Sequence, residues 1–182
     1  CETDFVARED DFLNLGKDLA DTLLHEGEEK AKASAEVGVS ALVQKLGENI
    51  SLGEVHIIEA SMMGTYVHSN GKIGVIIGLD KGETELARDI AMHAAAMSPS
   101  FVHPDDVPDE TVEKEKEIWK ERLAQEGKPA EIMEKIMVGK EKKFREEVSL
   151  LTQAFVKDPE KTVQQHLGDS EVTEYVRFSI GG

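Results

Sequence analysis

The side chains able to carry chemistry are six histidines, one cysteine and 37 carboxylates, set against 21 lysines and arginines. A zinc-hydrolase centre needs two imidazoles and a general base on one helical face, and no pair of histidines here has the His-Glu-x-x-His spacing that achieves this. His93 lies in IAMHAAAM, where a half-buried or capping histidine is a better reading than a catalytic one. The run His103-Pro104-Asp105-Asp106 offers nitrogen and oxygen donors, but proline constrains it and acids crowd the loops of so acidic a chain, so no metal site is assigned. Cys1 has neither a CxxC companion nor a nearby histidine to activate it. Gly71-Lys72-Ile73-Gly74 lacks the G-x-x-x-x-G-K-[ST] phosphate-loop pattern and falls in a hairpin instead of between a strand and a helix. No carboxylate has an apolar setting that would raise its pKa for acid catalysis. The inventory points to a binding protein without catalytic, metal or cofactor-binding residues, not to an enzyme.

Charge and length narrow the class further. The formal net charge of -16 over 182 residues repels phosphate backbones and anionic lipid heads. A lone cysteine forbids an intrachain disulfide. No apolar run approaches the roughly 20 residues of a membrane helix, and the expected location is the cytoplasm. Aromatics are only 5% of residues, so aliphatic side chains must fill the core.

Helices and a small sheet must present whatever surface does the binding. From Asp10 to Gly27, Phe12, Leu15, Leu19 and Leu23 recur at steps of three and four, which buries one face of a helix ended by Gly27. EEKAKASAEVG is helical by propensity but weakly anchored, and VSALVQKLG restores an apolar stripe through Val39, Leu42, Val43 and Leu46. The period then falls to two. Strands are predicted near 54 to 60, 63 to 69 and 72 to 79 as an antiparallel meander, the last two joined at Asn70-Gly71, whose residues tolerate the positive φ of a tight turn. Gly74 and Gly78 inside the third strand mark bulges or close backbone approaches.

ETELARDIAMHAAAMS reads as a helix facing that sheet through Leu86, Ile90, Ala94 and Met97, with Pro99 helping to end it. Pro104 and Pro108 punctuate a loop. Two highly charged helices then meet across Gly127-Lys128-Pro129, one carrying Val112, Trp119 and Leu123 and the other Ile132, Met133, Ile136, Met137 and Phe144. Such narrow apolar faces suit a helical hairpin that projects as an arm. SLLTQAFVKDP reads as a loop, EKTVQQHLG as a short helix, and EVTEYVRFSI as a strand returning to the sheet. The arm is then an insertion in the second part of the fold.

One oddity remains at the front of the chain. CETDFVARED places Phe5 and Val6 among charged residues, where on residue types alone they serve as packing onto the first helix.

Taken together, CETDFVARED, LVQKLGENI, GTYVHSNGKIGVII, ELARDIAMHAAAMSP, GKPAEIMEKIMVGKEKKFREEVSLLTQAFVKDPEKTV and VTEYVRFSIG follow in order a known pattern. The chain resembles the bacterial translation elongation factor Ts family over essentially its whole length. The resemblance implies an α+β fold of two related subdomains with antiparallel sheets and packed helices, plus a protruding antiparallel coiled-coil hairpin. The corresponding boundaries are 1–61 for the first subdomain, 62–111 with 148–182 for the second, and 112–147 for the inserted hairpin. A helical module resembling a ubiquitin-associated domain precedes the matching stretch in the family, and the residues read here do not include it.

By the same resemblance, the function implied is guanine nucleotide exchange on elongation factor Tu, a GTPase, with no covalent step and no direct nucleotide binding. Asp4 and Phe5 would approach the partner's nucleotide domain, Phe5 as a wedge beside its magnesium site, with Val6 in the same stretch. His68 would join that intrusion from the hairpin. Leu46 matches an apolar contact that is more often isoleucine, a change that keeps volume and loses the β-branch. The alternative implied is a helical adaptor or scaffold subunit of a larger complex, such as a viral RNA replicase.

Overall fold

The computed structural model describes every residue except Asp4, Asn70, Gly127, Lys128, Gly181 and Gly182. The amino-terminal part is helical. A single 3-10 turn, Val6–Arg8, leads into α1 (Asp10–Glu26), and α2 (Glu28–Leu46) follows after Gly27, whose φ of 88° supplies the reversal. Phe12, Leu15, Leu19 and Leu23 are half-buried, as the spacing of α1 requires. The alanine-rich stretch is anchored after all, because α2 is one continuous helix in which Ala31, Ala35 and Leu42 are buried. Small residues let α1 come close: a methyl group on Gly38 would lie 2.4 Å from a Leu15 methyl. A small core forms from Val6, Leu42 and Ile50, with Phe12, Leu15, Val39, Val43 and Leu46 against it.

The second part is built on a three-stranded antiparallel sheet in the order β1 (Met62–Val67), β2 (Ile73–Leu79), β5 (Val172–Ser179). β1 and β2 form the expected hairpin, whose turn residue Asn70 lies outside the described residues. The returning strand pairs with β2 as expected. Helix α3 (Thr84–Met97) covers one face of the sheet through Ala87, Ile90, Ala91 and Ala94, but Met97 is 48% exposed, since the helix ends there with Ser98 in the left-handed region. The core joins these residues to Val75, Ile77, Leu79, Leu150, Phe155, Val163 and Leu167, each large side chain contributing roughly 1.5–3 kcal/mol of burial.

The expected strand at 54–60 is absent. Ser61 alone separates this segment from β1, and one residue is too short a connection for the two-residue loop of a tight hairpin. The segment lies instead over the sheet's outer face, where the His56 ring meets Phe178 at 5.6 Å and Ala60 sits against Gly78. Among the described residues, 1–61 contain no strand. Gly78 fulfils the expected close approach, with a bulge in the β5 pairing beside it, whereas Gly74 faces open space.

The region predicted as a loop also holds order. After a 3-10 turn at Leu150–Thr152, β3 (Ala154–Phe155) and β4 (Asp158–Thr162) pair as a two-stranded ladder, an edge position that tolerates Pro159. Thr162 and Gln165 then cap α6 (Val163–Leu167) reciprocally. His93, expected to be half-buried or capping, is fully buried. Its Nδ1 accepts the Val156 N–H at 3.1 Å, which leaves Nε2 to donate to the Gln153 side-chain Oε1 at 3.0 Å. Burial holds its pKa below the ordinary range against the opposing Gln153 bond. It is a neutral pin between α3 and the β3–β4 ladder.

Between α3 and β3 stand α4 (Asp109–Gln125) and α5 (Ala130–Glu147). Their pairing is antiparallel by its contacts: Arg145 with Asp109 at 2.9 Å, Lys116 with Glu141 at 2.9 Å, and Trp119 edge-on to Phe144 at 5.7 Å. Arg145 also donates to the Val107 carbonyl at 2.7 Å, tying the base of the pair to the chain that enters it. Gly127 and Lys128 of the expected turn lie outside the described residues.

One close approach governs the main layer. A methyl group on Gly64 of β1 would fall 2.1 Å from the Arg88 backbone nitrogen and 2.2 Å from the Ala87 carbonyl carbon. Replacement of Gly64 by alanine is expected to push α3 off the sheet and cost about 1–3 kcal/mol, read as a lower urea midpoint. An unchanged midpoint would show that the layers are not in tight contact there.

Candidate functional site

The amino-terminal segment is held from behind by one carboxylate. Gly47, in the left-handed region at φ 69°, ends α2 and donates its N–H to the Val43 carbonyl at 2.9 Å. Glu48 follows directly. Its carboxylate accepts the Thr3 N–H at 2.6 Å, the Thr3 hydroxyl at 2.5 Å and the Glu2 N–H. Partial burial pushes the Glu48 pKa upward, but these bonds from Thr3 and Glu2 outweigh it and hold the group below the ordinary carboxylate range.

The turn that follows is closed by Arg8 N–H to the Phe5 carbonyl at 3.1 Å and Glu9 N–H to the Val6 carbonyl at 3.0 Å. Val6 points inward, 7% exposed, onto Leu42 and Ile50. Phe5 points outward and is 85% exposed. The two residues that look alike in sequence therefore part company: one anchors the turn and the other is displayed by it. Asp4 lies outside the described residues.

The hairpin arrives at the same edge. Cys1, Thr3 and Ala7 line a small crevice of about 20 Å³ together with Gly71, Lys72 and Ile180. His68 begins that hairpin turn, donating its N–H to the Ile73 carbonyl at 2.8 Å and accepting from Gly71 N–H at 2.8 Å. Its ring is exposed, with Nδ1 3.3 Å from the Tyr66 hydroxyl. Leu46, at the end of α2, is half-buried against the small amino-terminal core and supports the turn from below. The fold thus gathers the Phe5 turn and the His68 hairpin, more than 60 positions apart in sequence, along one edge.

Two observations bear on other chemistry. Among the described residues no group of three or more His, Cys, Asp or Glu side chains could hold a metal ion, and no helix is long and apolar enough to cross a membrane. The donors of 103–106 are used internally: His103 Nδ1 accepts the Asp105 N–H at 3.2 Å, and the Asp106 carboxylate accepts the His103 N–H at 2.8 Å. Glu48 and Thr3 are the site residues that sequence reasoning missed. Their only trace was the position of Glu48 directly after a helix-ending glycine.

A family model described as "Elongation factor TS" matches residues 2–182. The chain belongs to the elongation factor Ts family. It is 45% identical over 186 residues to an elongation factor Ts of Marinobacter nauticus, covering 99% of this chain and 64% of that relative. It is 44% identical to that of Hahella chejuensis, covering 99% and 65%, and 44% identical to that of Deinococcus deserti, covering 99% and 72%. The chain therefore spans a little under two thirds of the length of the first two relatives.

The Glu48 contacts give this family member a defined acid response. Because its folded pKa is depressed, the hold on residues 2 and 3 is complete above the ordinary glutamate value of about 4.3 and is lost as pH falls through the lower folded value. Amide chemical shifts of Thr3 and Ala7 are expected to titrate together in that window, and the titration should vanish in Glu48→Gln. The same Thr3 and Ala7 titration persisting in Glu48→Gln would contradict the assignment.

Proposed function

We propose that the chain is a guanine nucleotide exchange factor that binds elongation factor Tu and promotes GDP release. The observation that carries this reading is the 85% exposed Phe5 on a hydrogen-bonded turn anchored by the buried Val6. Removing a phenyl ring from water is worth roughly 1.5–3 kcal/mol, which a partner that covers Phe5 would gain. Phe5 enters the partner's nucleotide domain beside its magnesium and phosphate site, and His68 follows from the hairpin. Asp4 and Leu46 flank the contact, and Val6 acts as the anchor behind Phe5.

No bond is made or broken by the factor. A protein that binds best to a distorted, nucleotide-free partner must weaken nucleotide binding by the same coupling free energy. Reciprocity then lets incoming nucleotide expel the factor. The two separate hydrophobic clusters, one within 1–61 and one shared by 62–111 and 148–182, support two core subdomains, with 112–147 as an inserted coiled-coil arm.

A second use for the arm is supported by its surface. Ile118, Ile132 and Val138 are exposed on α4 and α5, which suits an adaptor role in a larger assembly such as a viral replicase. Exchange remains the primary reading.

Mixing the chain with elongation factor Tu loaded with fluorescent GDP should accelerate release in a saturable manner, and no acceleration at saturation would refute the proposal. Phe5→Ala is expected to slow stimulated release about 10- to 100-fold, the scale of an aromatic hot spot. Its stability should change by less than about 0.5 kcal/mol, because the ring touches little of its own protein. Equal exchange rates for parent and variant would remove Phe5 from the mechanism.

A further inference from the structure

Arg177 is the least explained charged side chain in the second core. It stands opposite Val75 in the β2–β5 ladder and so lies on the face that α3 covers. Its Nε is buried with no hydrogen-bond partner, and no ion pair is made by its guanidinium among the described residues. A buried N–H of a permanently charged group is expensive to leave unmet. In a chain with 37 carboxylates, the absence of an acid on this guanidinium calls for an acceptor from elsewhere.

Space for that acceptor exists. A cleft of about 380 Å³ runs along β5, the edge strand of the sheet. Ser98, Pro99 and Ser100, just after α3, form one wall, while Glu54 and His56 of the segment over the outer face form the other. The cleft is braced by structure, since the Tyr175 hydroxyl donates to the Pro99 carbonyl at 2.8 Å. Burial raises the Tyr175 pKa to about 12 and keeps that donor protonated. Glu54, the one acid among the described lining residues, has its carboxylate 3.5 Å from His56 Nε2.

We propose that this cleft is an oxyanion-binding site, taking a carboxylate or phosphate oxygen on the Arg177 guanidinium with the serines at 98 and 100 as neighbouring donors. Arg177 lines the cleft, and a rotation of its side chain that turns the buried Nε out toward it lets the planar fork take such a group through charge-assisted bonds. The site is separate from the Phe5 edge and does not rest on the exchange reading. A free phosphate and an acidic side chain of another protein present the same chemistry to it.

Titration of the 15N-labelled chain with inorganic phosphate and separately with acetate, at constant ionic strength set by chloride, tests the proposal. Saturable shifts are expected at the Arg177 Nε–Hε signal and at the Ser98 and Ser100 amides. Arg177→Gln should weaken binding about tenfold or more, Arg177→Lys should weaken it several-fold by losing the fork, and Glu54→Gln should tighten it about threefold. Preference for phosphate assigns the site to a phosphate-type ligand, and equal or better binding of acetate assigns it to a carboxylate. Shifts that do not saturate, or that persist unchanged in Arg177→Gln and Arg177→Lys, would overturn the proposal and leave the cleft to water.

Discussion

Three donors from residues 2 and 3 converge on the Glu48 carboxylate, and the geometry of the amino-terminal edge follows from that convergence. A carboxylate accepting several N–H and O–H groups fixes a backbone more strongly than neutral contacts do. Thr3 is tied to Glu48 and Val6 is buried beside Leu42 and Ile50. Phe5 faces water while these contacts hold the residues on either side of its turn. The ordering entropy of a loop is thereby met during folding instead of during binding, which is how preorganisation raises affinity.

The remainder of the fold supplies a rigid frame for that edge. Gly64 permits β1 to touch α3, and the sheet so fixed carries the His68 hairpin to the side of the Phe5 turn. His93 joins α3 to the β3–β4 ladder from within the core. Arg145 fastens the α4–α5 pair at its base through Val107, Asp109 and Glu141. The His93 and Arg145 ties each use one polar side chain to satisfy groups on separate segments.

Much of this organisation was legible in the order of residues. The stripe Phe12, Leu15, Leu19 and Leu23 gave α1, and Asn70-Gly71 gave the β1–β2 hairpin, because both signals are local. The segment 54–60 misled for an equally physical reason. Alternating apolar residues state a preference for extended backbone, but a strand needs a neighbour in register, and here the segment crosses the sheet instead. The β3–β4 ladder was hidden by Pro159 and by its brevity. At the site, the resemblance singled out Phe5 and His68, while composition left Phe5 and Val6 indistinguishable. Glu48 was invisible because its contacts span 45 positions, and nothing in a carboxylate's neighbours in sequence reveals what it will accept from so far away.

If the chain promotes GDP release as proposed, Glu48 acts on that exchange only by holding Phe5 in its displayed position. A double-mutant cycle of Glu48→Gln and Phe5→Ala, read as GDP release from elongation factor Tu, addresses it directly. Both single variants are expected to slow release, and the double variant to be no slower than Phe5→Ala alone. Effects that multiply, with the double variant slower by the product of the two, would contradict it and give Glu48 a role independent of the ring.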